Sequence, residues 1–349
     1  MIHLYDVSGL LYIGHNVNRP GDVFVSENLK GLPVKGLRYA IEKLVTNTGS
    51  SNSVFAVMDS HTNKSELFPD YKAQRSFNQE IFVQRELLKY LLPMMGIPMI
   101  CQDNFEADDL FYCYMTDLYV NKRIPSSGVI IHSDDRDILG CVLDTRVSRV
   151  GLTSKTPTIY PSNYSNVLSK FGFVAYNSIL PYTLFYGKPS NNLGVMKSAS
   201  PDKLYADFLE YTRGFSPETL SFEIIFKKWL NDVKSSHRFS DAIIEEIENR
   251  MPVVFPRLTW DKDKAINYGE YNEKIVVDIL SLLDEGLALK HINPDLRARP
   301  IDKIDKSILD KWISIYRSGV TSVDNYVPTD STFFFSEKDD SSFSNIGGF

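Results

Sequence analysis

The feature that most constrains this chain is a set of short apolar runs that each stop at an acid. The clearest is "GVIIHSDDRD", residues 128–137, where Val129-Ile130-Ile131 gives way to Asp134, Asp135 and Asp137. A β-branched run of that length, bounded by turn residues, reads as a buried strand. At ~5 Å and an effective dielectric near 20, each pair of like charges at its end costs about 3 kcal/mol, so the crowding calls for a compensating cation. Ile2–Tyr5 runs into Asp6, and Val54–Met58 runs into Asp59 in the same way. With Pro98–Cys101 after Gly96 and Val129–His132, these make four candidate strands. Helical apolar spacing over Phe77–Met95 and Ala107–Val120 separates them. Strand–helix alternation of this kind predicts an α/β fold with a mainly parallel central sheet and flanking helices.

Ligands of such sheets gather beyond the carboxyl ends of the strands. Asp6, Asp59, Asp135 and Asp137 fall there, and "NFEADDL" sets Glu106, Asp108 and Asp109 at the start of the helix after the third strand. Taken singly, an acid at a helix start is ordinarily a cap or a dipole partner, and acidic turns after strands are common. Four separate segments delivering acids to one sheet edge are much harder to explain that way. Hard divalent cations such as Mg²⁺ or Mn²⁺ take carboxylate oxygens and would remove the repulsion, so these seven acids are the candidate metal ligands.

Composition narrows the classes. Hydrophobic residues make up 43% and aromatics 12% of 349 residues, enough for a sizeable core and for one large or two smaller domains. A net charge of −6 argues against a general polyanion binder but suits a carboxylate-rich site. No apolar stretch approaches the length of a membrane span, and Asp6 interrupts the first apolar run, which is no secretory signal; a cytoplasmic protein is expected. Cys101, Cys113 and Cys141 have no metal-type spacing and imply no disulfide framework. Beyond about residue 160 the pattern turns helical, with Ser200-Pro201-Asp202 and Ser216-Pro217-Glu218 as helix starts. Helical spacing recurs over Leu220–Val233, Asp241–Arg250, Glu273–Leu289 and Lys306–Arg317, and residues 326–349 form a Ser/Asp/Phe-rich tail expected to be mobile.

These segments together resemble the 5′-nuclease superfamily: flap endonucleases, the 5′-nuclease domain of bacterial DNA polymerase I, and phage ribonuclease H enzymes. "YDVSGLLY" is similar to the family's D-G-S-x-L-x-Y, and "FAVMDSHTNKSELFPDYKAQR" to its strand, aspartate and E-x-Y-P-x-Y-K-A-x-R segment. "MGIPMICQDNFEADDL" and "IIHSDDRDIL" resemble G-I-P-x₆-E-A-D-D and S-G-D-K-D. The likeness covers about residues 1–195. It implies a PIN-like nuclease domain over 1–180 with an arch at about 60–95, a helical DNA-binding region with a divergent helix-turn-helix over 181–325, and the tail. It further implies a metal-dependent 5′-3′ nuclease acting on DNA or RNA–DNA with 5′ single-stranded ends or flaps, as in phage-like primer removal. Within the arch, Lys72 and Arg75 would neutralise phosphate as catalytic cations and Tyr71 would stack a terminal base. The tail, with Asp339, Asp340 and Phe349, would dock a replication protein.

The sequence also departs from the family. In "LFYGKPSNNLGV", Lys188 and Asn191 stand where the resemblance places two aspartates of a second metal site, while Gly187, Ser190, Asn192 and Gly194 fit. The expectation is one strong metal site, with Lys188 taking over part of the charge stabilisation and contacting nucleic acid. "GVMKSAS" also replaces a glycine-rich hairpin that would grip duplex phosphates. The alternative is a catalytically impaired relative that binds nucleic acid as a replication accessory.

Overall fold

Parallel pairing follows from where the β-branched residues lie. In the computed structural model, β1 (Ile2–Asp6) sits between β4 (Ser53–Val57) and β6 (Val129–His132), parallel to both, with Leu4 opposite Phe55 and Ile131. β5 (Met99–Ile100) extends the sheet beyond β4 and β7 (Val147–Val150) beyond β6, again in parallel. β8 (Ile266–Asn267) closes the far edge antiparallel to β5, giving six strands in the order β7-β6-β1-β4-β5-β8. β2 (Val25–Ser26) and β3 (Leu32–Pro33) form a separate two-stranded ribbon. The structure describes residues 1–268 apart from 17–24, 27–31, 34, 46–52, 61, 76–77, 155, 164–166, 168–171, 173–175, 214 and 216–221. Ser216-Pro217-Glu218, both helical patterns beyond residue 272 and the tail therefore lie outside the described residues.

The helices cover the sheet where apolar faces demand it. α1 (Val7–Asn16) follows β1 without a break, and α2 (Lys35–Val45), α3 (Lys64–Leu67), α4 (Gln79–Met94) and α5 (Ala107–Val120) complete the first half. Asn78 caps α4 by accepting from the Ile81 N–H at 3.1 Å. α6 (Ile179–Tyr186), α7 (Pro201–Thr212), α8 (Phe222–Ser236), α9 (Asp241–Val254) and α10 (Lys262–Ala265) follow, with α7 starting at the proline after Ser200 as its sequence predicts. One hydrophobic core runs through both halves: Leu110, Phe111 and Ile138 beside the sheet share it with Leu184, Phe185, Phe226 and Trp229. Burial of those large apolar side chains, at about 25 cal/mol per Å², fixes the helical half against the sheet edge where the acids stand.

All four expected strands form, and the sheet is mainly parallel as read from the sequence. α1, α2, β7 and β8 were not anticipated. β7 reads "VSRV", and its polar residues are buried only because β6 and the 158–159 segment pair with it. The three cysteines are free thiols. No helix among the described residues is long and apolar enough to cross a membrane.

Candidate active site

The carboxyl ends of the central strands bring the acids together. Asp6 ends β1; its Oδ1 accepts from the Gly9 N–H at 2.9 Å and its Oδ2 from the Ser133 hydroxyl at 3.2 Å. Gly9 is glycine for a reason of space: a Cβ there would lie 2.6 Å from Leu152 Cδ1 and 3.1 Å from Asp6 Oδ2. Asp59, just beyond β4, accepts from the Ala107 N–H at 2.8 Å, so the positive end of α5 faces it. Asp108 lies in the first turn of α5, and Asp135 in the loop after β6.

Their mutual repulsion is visible in their acidity. Burial, then the charges of Asp59 and Asp135, push Asp6 up to about 7. Burial and then Asp135 hold Asp108 well above the ordinary carboxylate range. Asp6 and Asp108 therefore carry a repulsion that the acids around them impose.

Elsewhere in the cluster negative charge is matched, by lysines. The Lys188 ammonium donates to both oxygens of Asp135, at 2.7 and 2.8 Å, and to Asp137 Oδ2 at 2.9 Å. Burial raises the Asp135 carboxyl, but Lys188 outweighs it and holds the group at about 2. Lys64 reaches Glu106 Oε2 at 2.8 Å and Asp109 Oδ1 at 3.2 Å, while Lys72 takes Glu106 Oε1 at 2.6 Å. Glu106 is thereby kept well below the usual range: its burial pulls upward, and Lys64 and then Lys72 outweigh it. Asp109 also accepts from the N–H groups of Glu106 and Arg257. Asp137 Oδ1 accepts from the Thr183 hydroxyl at 3.0 Å.

Of the seven acids expected to hold metal directly or through water, several are engaged by the chain's own donors. Glu106, Asp109 and Asp137 have their oxygens engaged by ammonium, hydroxyl or backbone donors, because cations brought in by the chain already offset their charge. As arranged, no three acid, His or Cys side chains among the described residues are grouped to hold an ion. Asp6, Asp59 and Asp108 nevertheless fit a hard divalent cation by their donor chemistry, all carboxylate oxygen, while Asp135 beside them is taken by Lys188.

Residues 70–75 form a strap across this edge. The loop closed by Gly187 presents Lys188: Gly187 has φ +79°, and a Cβ there would come within 2.3 Å of the Leu193 carbonyl oxygen, so only glycine allows the Lys188–Leu193 bridge. The strap is tied to that loop. Lys72 N–H donates to the Asn191 carbonyl at 2.9 Å, Gln74 to the Ser190 carbonyl at 3.0 Å, and Asn192 to the Asp70 carbonyl at 3.0 Å. Arg75 donates to the Ser190 carbonyl and to Asn191 Oδ1, both at 3.1 Å. Tyr71 is 2% exposed, and its hydroxyl donates to Glu106 at 2.9 Å. The expectation that Tyr71 stacks a base is corrected: its ring shows no free face, because the phenol fills the space beside Glu106. Sequence reasoning also missed Lys64, Ser133 and Thr183. Lys64 had no local mark, since nothing in "KSEL" distinguishes a buried lysine from a solvated one.

Residues 1–172 match the family model described as the 5′-3′ exonuclease, N-terminal resolvase-like domain. A 5′-3′ exonuclease of Mycoplasma pneumoniae is 31% identical over 143 residues, covering 41% of this chain and 47% of its own. One of Bacillus subtilis is 29% identical over 194 residues, covering 53% and 62%. The chain thus spans less than two thirds of the length of either relative. The solved structure of T5 5′-exonuclease with bound zinc ions aligns over 90% of this chain and 97% of its own at 15% identity, with a TM-score of 0.45.

Proposed function

We propose, from the match of residues 1–172 to the 5′-3′ exonuclease N-terminal domain, that the protein is a metal-dependent 5′-3′ nuclease of the 5′-nuclease superfamily hydrolysing phosphodiesters in DNA or RNA–DNA with a 5′ end or flap. The observation that carries the reading is the gathering of Asp6, Asp59 and Asp108 beyond the carboxyl ends of the strands, where repulsion raises Asp6 and Asp108. Asp6, Asp59 and Asp108 would hold the ion, Mg²⁺ or Mn²⁺, with Asp135, bonded to Lys188, at their side. Bound there, it would supply Lewis-acid polarisation of the phosphate and activation of water.

The chain's own groups do the rest. The Gly9 and Ala107 N–H groups and the Ser133 hydroxyl fix the orientation of Asp6 and Asp59. Lys72, partly exposed beside Glu106, and Arg75 on the strap would offer cations to a substrate phosphate.

One observation favours a second reading, a nucleic-acid-binding relative without turnover: three lysines already pair with four of the seven carboxylates. Cleavage of 5′-tailed duplex, measured with Mg²⁺ and with Mn²⁺, separates them. Wild type is expected to cut and Asp108→Asn to bind without cutting; DNA binding with no cleavage at any concentration of either ion would establish the second reading instead.

A further inference from the structure

Resting on the nuclease reading, we propose that the Lys188 ammonium is a built-in cation standing in for a second divalent ion at the Asp135–Asp137 side of the site. The enzyme would then work with one exchangeable ion and one covalently attached charge. An ammonium has three N–H donors, and here three carboxylate oxygens receive them, from 2.7 to 2.9 Å. Lys188 therefore bridges the two acids as an ion would.

What is left of that corner is also complete. Asp137 Oδ1 takes the Thr183 hydroxyl, and the Asp137 N–H is satisfied by Asp135 Oδ1 at 2.8 Å. The lysine is not a passing surface side chain: its own N–H donates to the Leu193 carbonyl at 2.8 Å, and Gly187 allows the close turn that aims it inward. Asn191, across the same loop, contributes a neutral amide whose oxygen is held by Arg75. A divalent ion placed here would meet a fixed positive charge and no free carboxylate. The two acids hold the ammonium in place, where a second positive charge would serve the transition state of a bound phosphate.

Counting Mn²⁺ ions bound to the full chain by calorimetry, without nucleic acid, tests this apart from activity. Wild type is expected to bind one ion. Lys188→Ala frees Asp135 and Asp137 and should bind a second ion, and Lys188→Asp with Asn191→Asp should bind it about tenfold more tightly still, the scale of a change in the ligand surroundings. Circular dichroism checks that each variant is folded, and the wild-type count stands even if neither variant is. On 5′-tailed duplex, Lys188→Ala should cut more slowly at low Mg²⁺ and regain rate as Mg²⁺ rises. Two ions in wild type, or one ion in a folded Lys188→Ala, would overturn the proposal while leaving the nuclease reading intact. No ion in wild type, with no cleavage, would overturn both.

Discussion

Replacing Lys64 by Met keeps the length of the side chain and removes its charge. Lys64 is 3% exposed and is the ammonium partner of Asp109, which is wholly buried; Glu106, its other partner, keeps Lys72 and the Tyr71 hydroxyl. After the change, Asp109 retains only the N–H groups of Glu106 and Arg257. Removing one member of a buried ion pair costs about 3–5 kcal/mol, a large share of the roughly 5–15 kcal/mol that holds a typical protein folded. At roughly 2–4 °C per kcal/mol for a domain of this size, the melting temperature falls by about 6–20 °C. Urea denaturation of the full chain measures the loss directly. Adding Asp109→Asn removes the stranded charge, so the double variant should recover about 0.5–3 kcal/mol relative to the sum of the singles. A loss below about 1 kcal/mol in Lys64→Met, or strict additivity in the pair, would refute the view that the lysine and not solvent balances these acids.

Two further outcomes follow from buried geometry. His132 is stacked on Tyr5 at 3.8 Å and bonded to His3 Nδ1 at 3.0 Å, and burial, then the His3 and Lys43 charges, lower its pKa to about 3. A depressed histidine stabilises the fold fully above its unfolded value near 6.5, and that stability is lost as pH falls towards 3. At pH 4.5 about 2–3 kcal/mol should be gone, and the stability gap between wild type and His132→Phe, measured in urea, should narrow by that amount from pH 7.5; an unchanged gap would sink the assignment. Gly187→Ala forces a Cβ against the Leu193 and Gly194 carbonyls at positive φ, so it should cost at least about 1–2 kcal/mol and, by turning Lys188 away, raise the pKa of Asp135. A thermal melt and the pH dependence of Mn²⁺ binding would show neither change if the turn were tolerant.

The sheet and its acids were legible because both are written locally. A short apolar strand that stops at turn residues announces its own end, so the sequence reading could set Asp6, Asp59 and Asp135 just beyond strand ends. The counter-charges were not legible, because their partners are distant in sequence: Lys64 meets Glu106 across 42 residues, and Lys188 meets Asp135 across 53. Lys188 drew attention only as a departure from a resembled motif; the sequence carried no sign that its amine bridges two acids. Tyr71 misled for the same reason, since an aromatic between basic residues looks like a stacking face until Glu106 is brought to its hydroxyl.

The same distinction explains why the acids do not tear the sheet edge apart. Repulsion of about 3 kcal/mol per pair is short-ranged enough for an ammonium within 3 Å to cancel it, provided the loop carrying that ammonium is itself held. Here the loops hold one another: the strap carrying Lys72 is bonded to the loop carrying Lys188, through Lys72 N–H to Asn191 and Asn192 to Asp70. Each lysine is thus positioned partly by the backbone of the other's segment. Asp6 and Asp108 stay above the usual carboxylate range even so, and it is there, where two carboxyls share the cost of ionising, that an exchangeable cation has the most to gain by binding.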